Sequence, residues 1–292
     1  MTDYADCYWS SRDGLKLHYR DYPSDHRGGE GRPPVICLPA LTRNARDYEA
    51  LAQRISGEWR VLCPEMRGRG DSAYAKDSST YNPYQYVDDV NHLLEETGID
   101  RYLVIGTSLG GLMTMILAMN APERIVGAVL NDVGPVLEPA GLQRIAGYVG
   151  QGRSFPTWMH AARALEETQG VANPHFTTLD WLELAKRLMT LSSNGRIVFD
   201  YDMKIAEPFA RLDVADVKAQ PDLWPGIDNL AGKPILLVRG GLSDLLSAEV
   251  FDQMAARLPG AETLTLPAVG HAPTLAEPES AAAIDRLLAR IV

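Results

Sequence analysis

Apolar residues along the chain occur in two patterns that follow one another, short continuous runs and stretches with helical spacing. A continuous run is typical of a strand covered on both faces, whereas apolar residues at every third or fourth position predict an amphipathic helix. The predicted strands are 34–38, 59–63, 101–106, 125–130, 234–239 and 262–266, and the predicted helices are 45–55, 84–96, 109–119, 248–258 and one from 279. Because strands alternate with helices, the pattern predicts an α/β fold with a mostly parallel, doubly wound sheet.

The segment before these strands predicts a β-hairpin. Asp13-Gly14 lies between two short runs, 7–9 and 15–19, and this dipeptide is a strong signal for a tight turn. His18 falls on the polar phase of the second run, so we expect its side chain to face solvent.

The alternation stops between 136 and 230. That stretch shows helical spacing at 140–148, 157–168 and 179–191, joined by polar loops, and no buried strand. We therefore predict that residues 1–135 and 231–292 form one core domain, and that residues 136–230 form a helical cap, or lid, inserted into it.

Charge and composition narrow the kinds of partner. The formal net charge is −10, with acidic and basic residues mixed along the chain, which argues against nucleic acid because such binding needs clustered Lys and Arg. Cys7, Cys37 and Cys63 have no metal-ligand spacing, and reduced cysteines suit the cytoplasm. The sequence shows no secretory signal and no apolar run of about 18 residues, so we expect a cytoplasmic protein that does not span a membrane.

The segment Gly106-Thr107-Ser108-Leu109-Gly110 fits the G-x-S-x-G pattern of a serine nucleophile. It follows a predicted buried strand and opens a predicted helix, which is the context that gives the pattern its meaning. The turn must be so sharp that the residues two before and two after the serine come close together, and both are glycine. We predict Ser108 as the nucleophile.

A serine hydroxyl needs a neighbouring base to take its proton. His271 lies just past the strand 262–266 and before the last helix, at a place where open α/β sheets present catalytic groups, so we predict it as the general base. The acid that orients it is predicted as Asp244, which follows the strand 234–239 and gives the chain order Ser, Asp, His. Asp132, which follows the strand after the nucleophile, is the competing candidate.

Acyl transfer also needs two donors aimed at the developing oxyanion. The backbone N–H of Leu109, next to the nucleophile, is one predicted donor. The second is expected from the loop after the first buried strand, where Pro39 has no N–H; Leu41 is the first choice and Ala40 the second.

Together these residues resemble the α/β-hydrolase superfamily. The resemblance is carried by the glycine-rich turn 106–111, by the loop 64–72 (Pro-Glu-Met-Arg-Gly-Arg-Gly-Asp-Ser) and by Val269-Gly270-His271, and it covers nearly all of the chain outside the insertion. Where the family usually has His-Gly before the oxyanion donor, this chain has Pro39-Ala40. The resemblance implies a helical lid over the active site and neither a metal nor an organic cofactor.

The fold alone does not fix the reaction, but the nucleophile narrows it. Dehalogenases and epoxide hydrolases of this superfamily use Asp where this chain has Ser108. The first hypothesis is therefore hydrolysis of a carboxylic ester or lactone of a small molecule through an acyl-enzyme. A second is carbon–carbon bond hydrolysis of a ring-cleavage product, with Arg43 or Arg67 holding a substrate carboxylate. A third is a ligand receptor without turnover; the sequence gives no oligomeric state.

Overall fold

An eight-stranded, mostly parallel sheet carries the fold in the computed structural model, which describes residues 4–24, 32–210 and 220–291. In chain order the strands are β1 (Ala5–Ser10), β2 (Lys16–Tyr22), β3 (Val35–Leu38), β4 (Val61–Pro64), β5 (Tyr102–Thr107), β6 (Ile125–Asn131), β7 (Ser154–Phe155), β8 (Met189–Leu191), β9 (Ile197–Phe199), β10 (Ile235–Gly240) and β11 (Glu262–Leu266). The large sheet has the order β1-β2-β4-β3-β5-β6-β10-β11. β1 and β2 pair antiparallel, β2 meets β4 antiparallel, and every later pairing is parallel. The predicted fold class and hairpin are confirmed.

Helices cover both faces of this sheet. In chain order, the α-helices of the described residues are α1 (Glu49–Ile55), α2 (Pro83–Glu96), α3 (Leu109–Asn120), α4 (Pro139–Tyr148), α5 (Trp158–Gln169), α6 (Thr178–Leu188), α7 (Ala206–Ala210), α8 (Trp224–Asp228), α9 (Ala248–Arg257) and α10 (Pro278–Leu288). α1 and α10 pack on one face, and α2, α3 and α9 on the other. In β3, Val35 and Cys37 face the first group of helices while Ile36 and Leu38 face the second, so the strand must be apolar at every position.

The stretch between β6 and β10 builds an apolar cluster of its own around α5 and α6, centred on Trp181 and Leu165. The sequence predicts helices, loops and no buried strand here; the structure adds β7, β9 and β8, which form a small, partly buried antiparallel sheet. Strands of two or three residues are too short to show a period in the hydrophobic pattern, and β8 follows α6 directly. Residues 211–219 of the predicted cap lie outside the described residues, and the cap boundaries at 136 and 230 stay predictions.

None of the helices in the described part of the chain has both the length and the apolar character needed to cross a membrane.

His18 is buried, contrary to the expectation from its position in β2. Its Nδ1 lies 2.9 Å from Glu65 Oε2 and its Nε2 lies 3.0 Å from Asp6 Oδ1. The polar phase of a strand faces solvent only where nothing covers it, and here Glu65, which follows β4, and the ring of Tyr8 cover the imidazole. Burial by itself would lower the pKa of His18, but the hydrogen bond and charge of Glu65, followed by Asp6 and Asp71, outweigh it and raise that pKa.

This raised pKa predicts a pH-dependent contribution to stability. A histidine whose pKa is higher in the folded chain stabilises the fold when protonated, so its contribution is complete at acidic pH. It is lost as the pH rises past about 6.5, the pKa of an unperturbed histidine, and through the folded-state pKa. We expect the difference in free energy of unfolding between the wild type and His18→Gln, measured with urea, to shrink between about pH 6 and pH 9. A pH-independent difference would contradict this interpretation.

Candidate active site

The turn that presents Ser108 is strained and closely packed. Ser108 lies between β5 and α3 with φ 53° and ψ −114°, a conformation that L residues rarely adopt. A Cβ atom on Gly106 would lie 2.5 Å from the carbonyl oxygen of Gly110, and one on Gly110 would lie 2.0 Å from that of Leu38. Side chains are therefore excluded at both positions, as the G-x-S-x-G pattern predicts, and the hydroxyl is held at the carboxyl end of the sheet.

His271 meets this hydroxyl. It lies in the loop between β11 and α10, and its Nε2 is 2.9 Å from Ser108 Oγ. The structure thus brings together two residues that are 163 positions apart in the chain.

Asp132 lies on the other nitrogen of the imidazole. Its Oδ2 is 2.7 Å from His271 Nδ1, and the side chain is fully buried one residue past the end of β6. The carboxylate is fixed by two further donors, the backbone N–H of Gly240 at 2.8 Å and the hydroxyl of Ser243 at 2.7 Å. This contact sets the imidazole tautomer with Nδ1–H toward the carboxylate, which leaves Nε2 free to accept a proton from the serine.

Asp244 does not hold the imidazole, so the expectation for this residue is corrected. Its two oxygens accept hydrogen bonds from Nε and Nη2 of Arg144, at 2.5 and 2.7 Å. Partial burial would raise the pKa of Asp244, but the hydrogen bonds and charge of Arg144 outweigh it and hold that pKa below its usual value. Both acids follow strands at the same edge of the sheet. Asp132 follows β6, the immediate neighbour of β5, whereas Asp244 is bound by Arg144 of α4.

A hydrogen-bonded chain that the sequence analysis missed supports the nucleophile turn. The amide nitrogen of Asn131 donates to Pro273 O at 2.9 Å and to Thr107 Oγ1 at 3.1 Å, so it connects the loop of His271 with the residue before Ser108. Tyr48 Oη lies 2.9 Å from Thr107 Oγ1 and donates to Leu38 O at 2.8 Å. The only sequence signal for this role is that Asn131 and Thr107 both end strands next to the predicted site.

The two predicted oxyanion donors, Leu41 and Leu109, both border the space around Ser108. Among the described residues, no hydrogen bond uses either backbone N–H. The carbonyl of Ala40 accepts from Arg43 N at 3.0 Å inside a tight turn. In a trans peptide the N–H of the next residue points the opposite way, so that of Leu41 faces out of the turn. The backbone N–H of Leu41 is therefore still available as a donor, although Pro39-Ala40 stands where the family usually has His-Gly.

Two cavities meet at Ser108 and Leu41. The first, of about 120 Å³, is lined by apolar and by titratable side chains; among the titratable ones are His271, Asp47 and the arginines at 43, 144, 153 and 187, and it is called here the basic cavity. The second, of about 400 Å³, is lined largely by apolar side chains, among them Leu109, Leu112, Ile116, Val133, Leu142 and Leu223, and is called the apolar cavity.

Of the two arginines considered as holders of a substrate carboxylate, the structure leaves one at the site. Arg67 is fully buried and pairs with Asp13 and Asp89, at 2.9 and 2.6 Å. Its positive charge is therefore neutralised by these two carboxylates. Arg43 lines the basic cavity.

One group of side chains in the described residues has the spacing of a metal site. Ligand atoms of His18, Glu65 and Asp71 lie within 4.8 Å of one another. However, both ring nitrogens of His18 face carboxylates, and Glu65 already accepts the backbone N–H of Ala45 at 3.0 Å and that of Asp71 at 2.7 Å. This group is satisfied by internal hydrogen bonds and lies outside the two cavities.

The sheet order, the strained serine turn and the Ser–His–Asp contacts define an α/β hydrolase. The family model for the alpha/beta hydrolase fold matches residues 33–278, and the chain belongs to this family. A 3-hydroxybutyrate-oligomer hydrolase of Cupriavidus necator is 34% identical over 268 residues, 90% of each chain. An esterase of Mycobacterium tuberculosis is 31% identical over 231 residues, 76% of this chain and 70% of the relative.

Solved structures agree with the fold. The crystal structure of an alpha/beta hydrolase from Novosphingobium aromaticivorans is 60% identical, covers all of both chains and superimposes with a TM-score of 0.93. A putative hydrolase from Rickettsia typhi, 22% identical, superimposes with a TM-score of 0.85 over 99% of this chain and all of the other, which shows the fold alone.

Proposed function

We propose that the chain is a serine esterase that hydrolyses a carboxylic ester or lactone of a small molecule through an acyl-enzyme. The observation that carries this proposal is the 2.9 Å contact between His271 Nε2 and the hydroxyl of Ser108, at a turn strained enough to project that hydroxyl from the sheet.

In the first half of the reaction Ser108 Oγ attacks the ester carbonyl while His271 Nε2 takes its proton. Asp132 stabilises the imidazolium that forms, and the N–H groups of Leu109 and Leu41 bind the oxyanion. Collapse of the tetrahedral intermediate breaks the bond to the alcohol, which leaves with the proton from His271. In the second half, water loses a proton to His271, attacks the acyl-enzyme and releases the carboxylic acid and free Ser108.

Two further observations support an ester substrate. The name of the Cupriavidus relative describes hydrolysis of 3-hydroxybutyrate oligomers, whose units are joined by ester bonds, and the Mycobacterium relative is named an esterase. The apolar cavity beside Ser108 is also large enough for an acyl chain of several carbons, and most of the side chains that line it are apolar.

Covalent labelling tests the proposal directly. A fluorophosphonate phosphonylates only an activated serine, whose oxygen displaces fluoride from phosphorus, so we expect one adduct per chain, on the peptide that contains Ser108. Turnover of p-nitrophenyl butyrate should fall in proportion to the labelled fraction, and heat-unfolded chain should remain unlabelled because activation requires His271 at the hydroxyl. A fully labelled chain that still turns over the ester, or an adduct on another serine, would overturn the proposal.

A further inference from the structure

The two cavities differ in which catalytic groups border them. Of the described residues that line them, His271 borders the basic cavity alone, whereas Leu109 borders the apolar cavity alone. The leaving alcohol oxygen receives its proton from His271 Nε2, so the alcohol part must lie on the side of the imidazole. The alcohol part of an ester therefore occupies the basic cavity, and the acyl part occupies the apolar one.

The basic cavity concentrates positive charge in a protein of net charge −10. Four arginines and one acid, Asp47, line it. Arg144 is neutralised by its two hydrogen bonds to Asp244. Arg153 is exposed at the rim, with its guanidinium 5.5 Å from the ring centre of Phe155.

Arg43 and Arg187 have guanidinium N–H groups that make no hydrogen bond within the described residues. Arg43 uses only Nη1, 3.1 Å from Asp47 Oδ1, so its Nε and Nη2 have no partner among the described residues. The guanidinium of Arg187 has no acidic partner within 4.0 Å in the described part of the chain, although the residue is partly buried at the end of α6. Arg43 has Asp47 as its anion, and the charge of Arg187 acts on Asp180 without an ion pair, so donors of both guanidinium groups remain available to an anionic ligand.

Hydrogen bonds join the segment that carries Arg43 to the segment that carries Arg187. Asn44, the residue after Arg43, donates from Nδ2 to the carbonyl of Arg187 at 3.2 Å, and Arg46 Nε donates to the same carbonyl at 3.0 Å. The loop after β3 and the end of α6 are thereby joined directly. Arg43 and Arg187 therefore line the same cavity from two segments that are hydrogen-bonded to each other.

We propose, building on the esterase activity proposed above, that the preferred substrates are esters of a short hydroxycarboxylic acid. The free carboxylate of its alcohol part binds Arg187 and Arg43 in the basic cavity, while an apolar acyl chain fills the apolar cavity. One water needs about 10–15 Å³ on the same scale, so about 120 Å³ holds a group of several atoms, as in a three- or four-carbon hydroxy acid. Hydrolysis consumes one water and releases the hydroxy acid and the carboxylic acid.

This orientation has a consequence for a chain of ester-linked hydroxy acids. In such an oligomer the free carboxylate belongs to the last unit alone. Binding it in the basic cavity brings the last ester bond to Ser108. The enzyme then releases one hydroxy acid at a time from the carboxyl end.

The test compares two substrates that differ only in charge, 3-(butanoyloxy)butanoate and 3-(butanoyloxy)butanamide. Hydrogen bonds to a charged group are stronger than neutral ones, so we expect kcat/KM for the carboxylate to exceed that for the amide by about tenfold to hundredfold. Arg187→Gln and Arg43→Gln should each reduce this ratio by about tenfold. Arg163→Gln, the same substitution at an exposed position of α5, should leave it unchanged.

Because the ratio is measured within each variant, a loss of folded protein does not alter it. A ratio near one in the wild type, or a ratio that both cavity substitutions leave intact, would overturn the inference. So would faster hydrolysis of sec-butyl hydrogen succinate, which carries its carboxylate on the acyl part. In each of these cases hydrolysis of p-nitrophenyl butyrate would keep the esterase proposal standing. Absence of turnover for every ester in the set would overturn the esterase proposal itself, and the inference with it.

Discussion

Replacing Ser108 with alanine is expected to reduce kcat for p-nitrophenyl butyrate by about 10⁶-fold, because no other group takes over the attack on the carbonyl. Alanine keeps the Cβ atom and loses only the hydroxyl, so the strained turn at φ 53° and its contacts with Gly106 and Gly110 are retained. The variant should unfold at the same urea concentration as the wild type, within experimental error. Stopped assays with p-nitrophenyl butyrate measure the loss.

The matched control is Ser10→Ala. Ser10 is exposed on β1, the edge strand at the opposite side of the sheet order from β10 and β11, and the substitution removes the same hydroxyl group. Its kcat should equal that of the wild type. Turnover by Ser108→Ala above about one thousandth of the wild-type rate would contradict the assignment of the nucleophile.

Replacing Asp132 with asparagine is expected to reduce kcat by about 10⁴-fold. The amide can still accept the backbone N–H of Gly240, so the fold around it is kept. Its nitrogen, however, donates toward His271 Nδ1 and favours the tautomer whose proton lies on Nε2, where it faces Ser108 and blocks deprotonation. The loss should appear in kcat for all esters alike, with little change in KM.

The matched comparison is Asp244→Asn, the same substitution at the acid favoured by chain order. Asp244 contacts Arg144 and not His271, and its partly exposed ion pair contributes little to stability, so we expect a loss of less than about tenfold. The opposite ranking of the two variants would show that Asp244 orients the imidazole during turnover and that the contact with Asp132 is not the catalytic one.

Ser108 illustrates what local sequence can predict. A continuous apolar run, a serine between two glycines and a helix are all encoded within a few neighbouring residues, because the steric limits of the turn act between Gly106 and Gly110. His271 could be located for a similar reason, since a loop between a strand and a helix is recognised from its flanks.

Asp132 and His18 show the limit of that approach. Asp132 and Asp244 have the same local signature, a carboxylate in a loop after a buried strand. The choice between them depends on β6 lying next to β5, and on Arg144, 100 residues before Asp244, taking the second carboxylate. His18 was expected in solvent because alternation along β2 reports which residues share a face, but not that Glu65 and Tyr8 cover that face.

The sequence by itself determined the alternation of strands and helices in the large parallel sheet and the placement of Ser108 and His271 after the strands β5 and β11, since backbone sterics and hydrophobic periodicity act over a few residues. Only the tertiary structure decided the partner of the imidazole, the burial of His18, and the placement of Arg43 and Arg187 in the lining of one cavity. These depend on contacts between segments 47 to 143 residues apart, where long-range packing decides which of several similar side chains come within hydrogen-bonding distance.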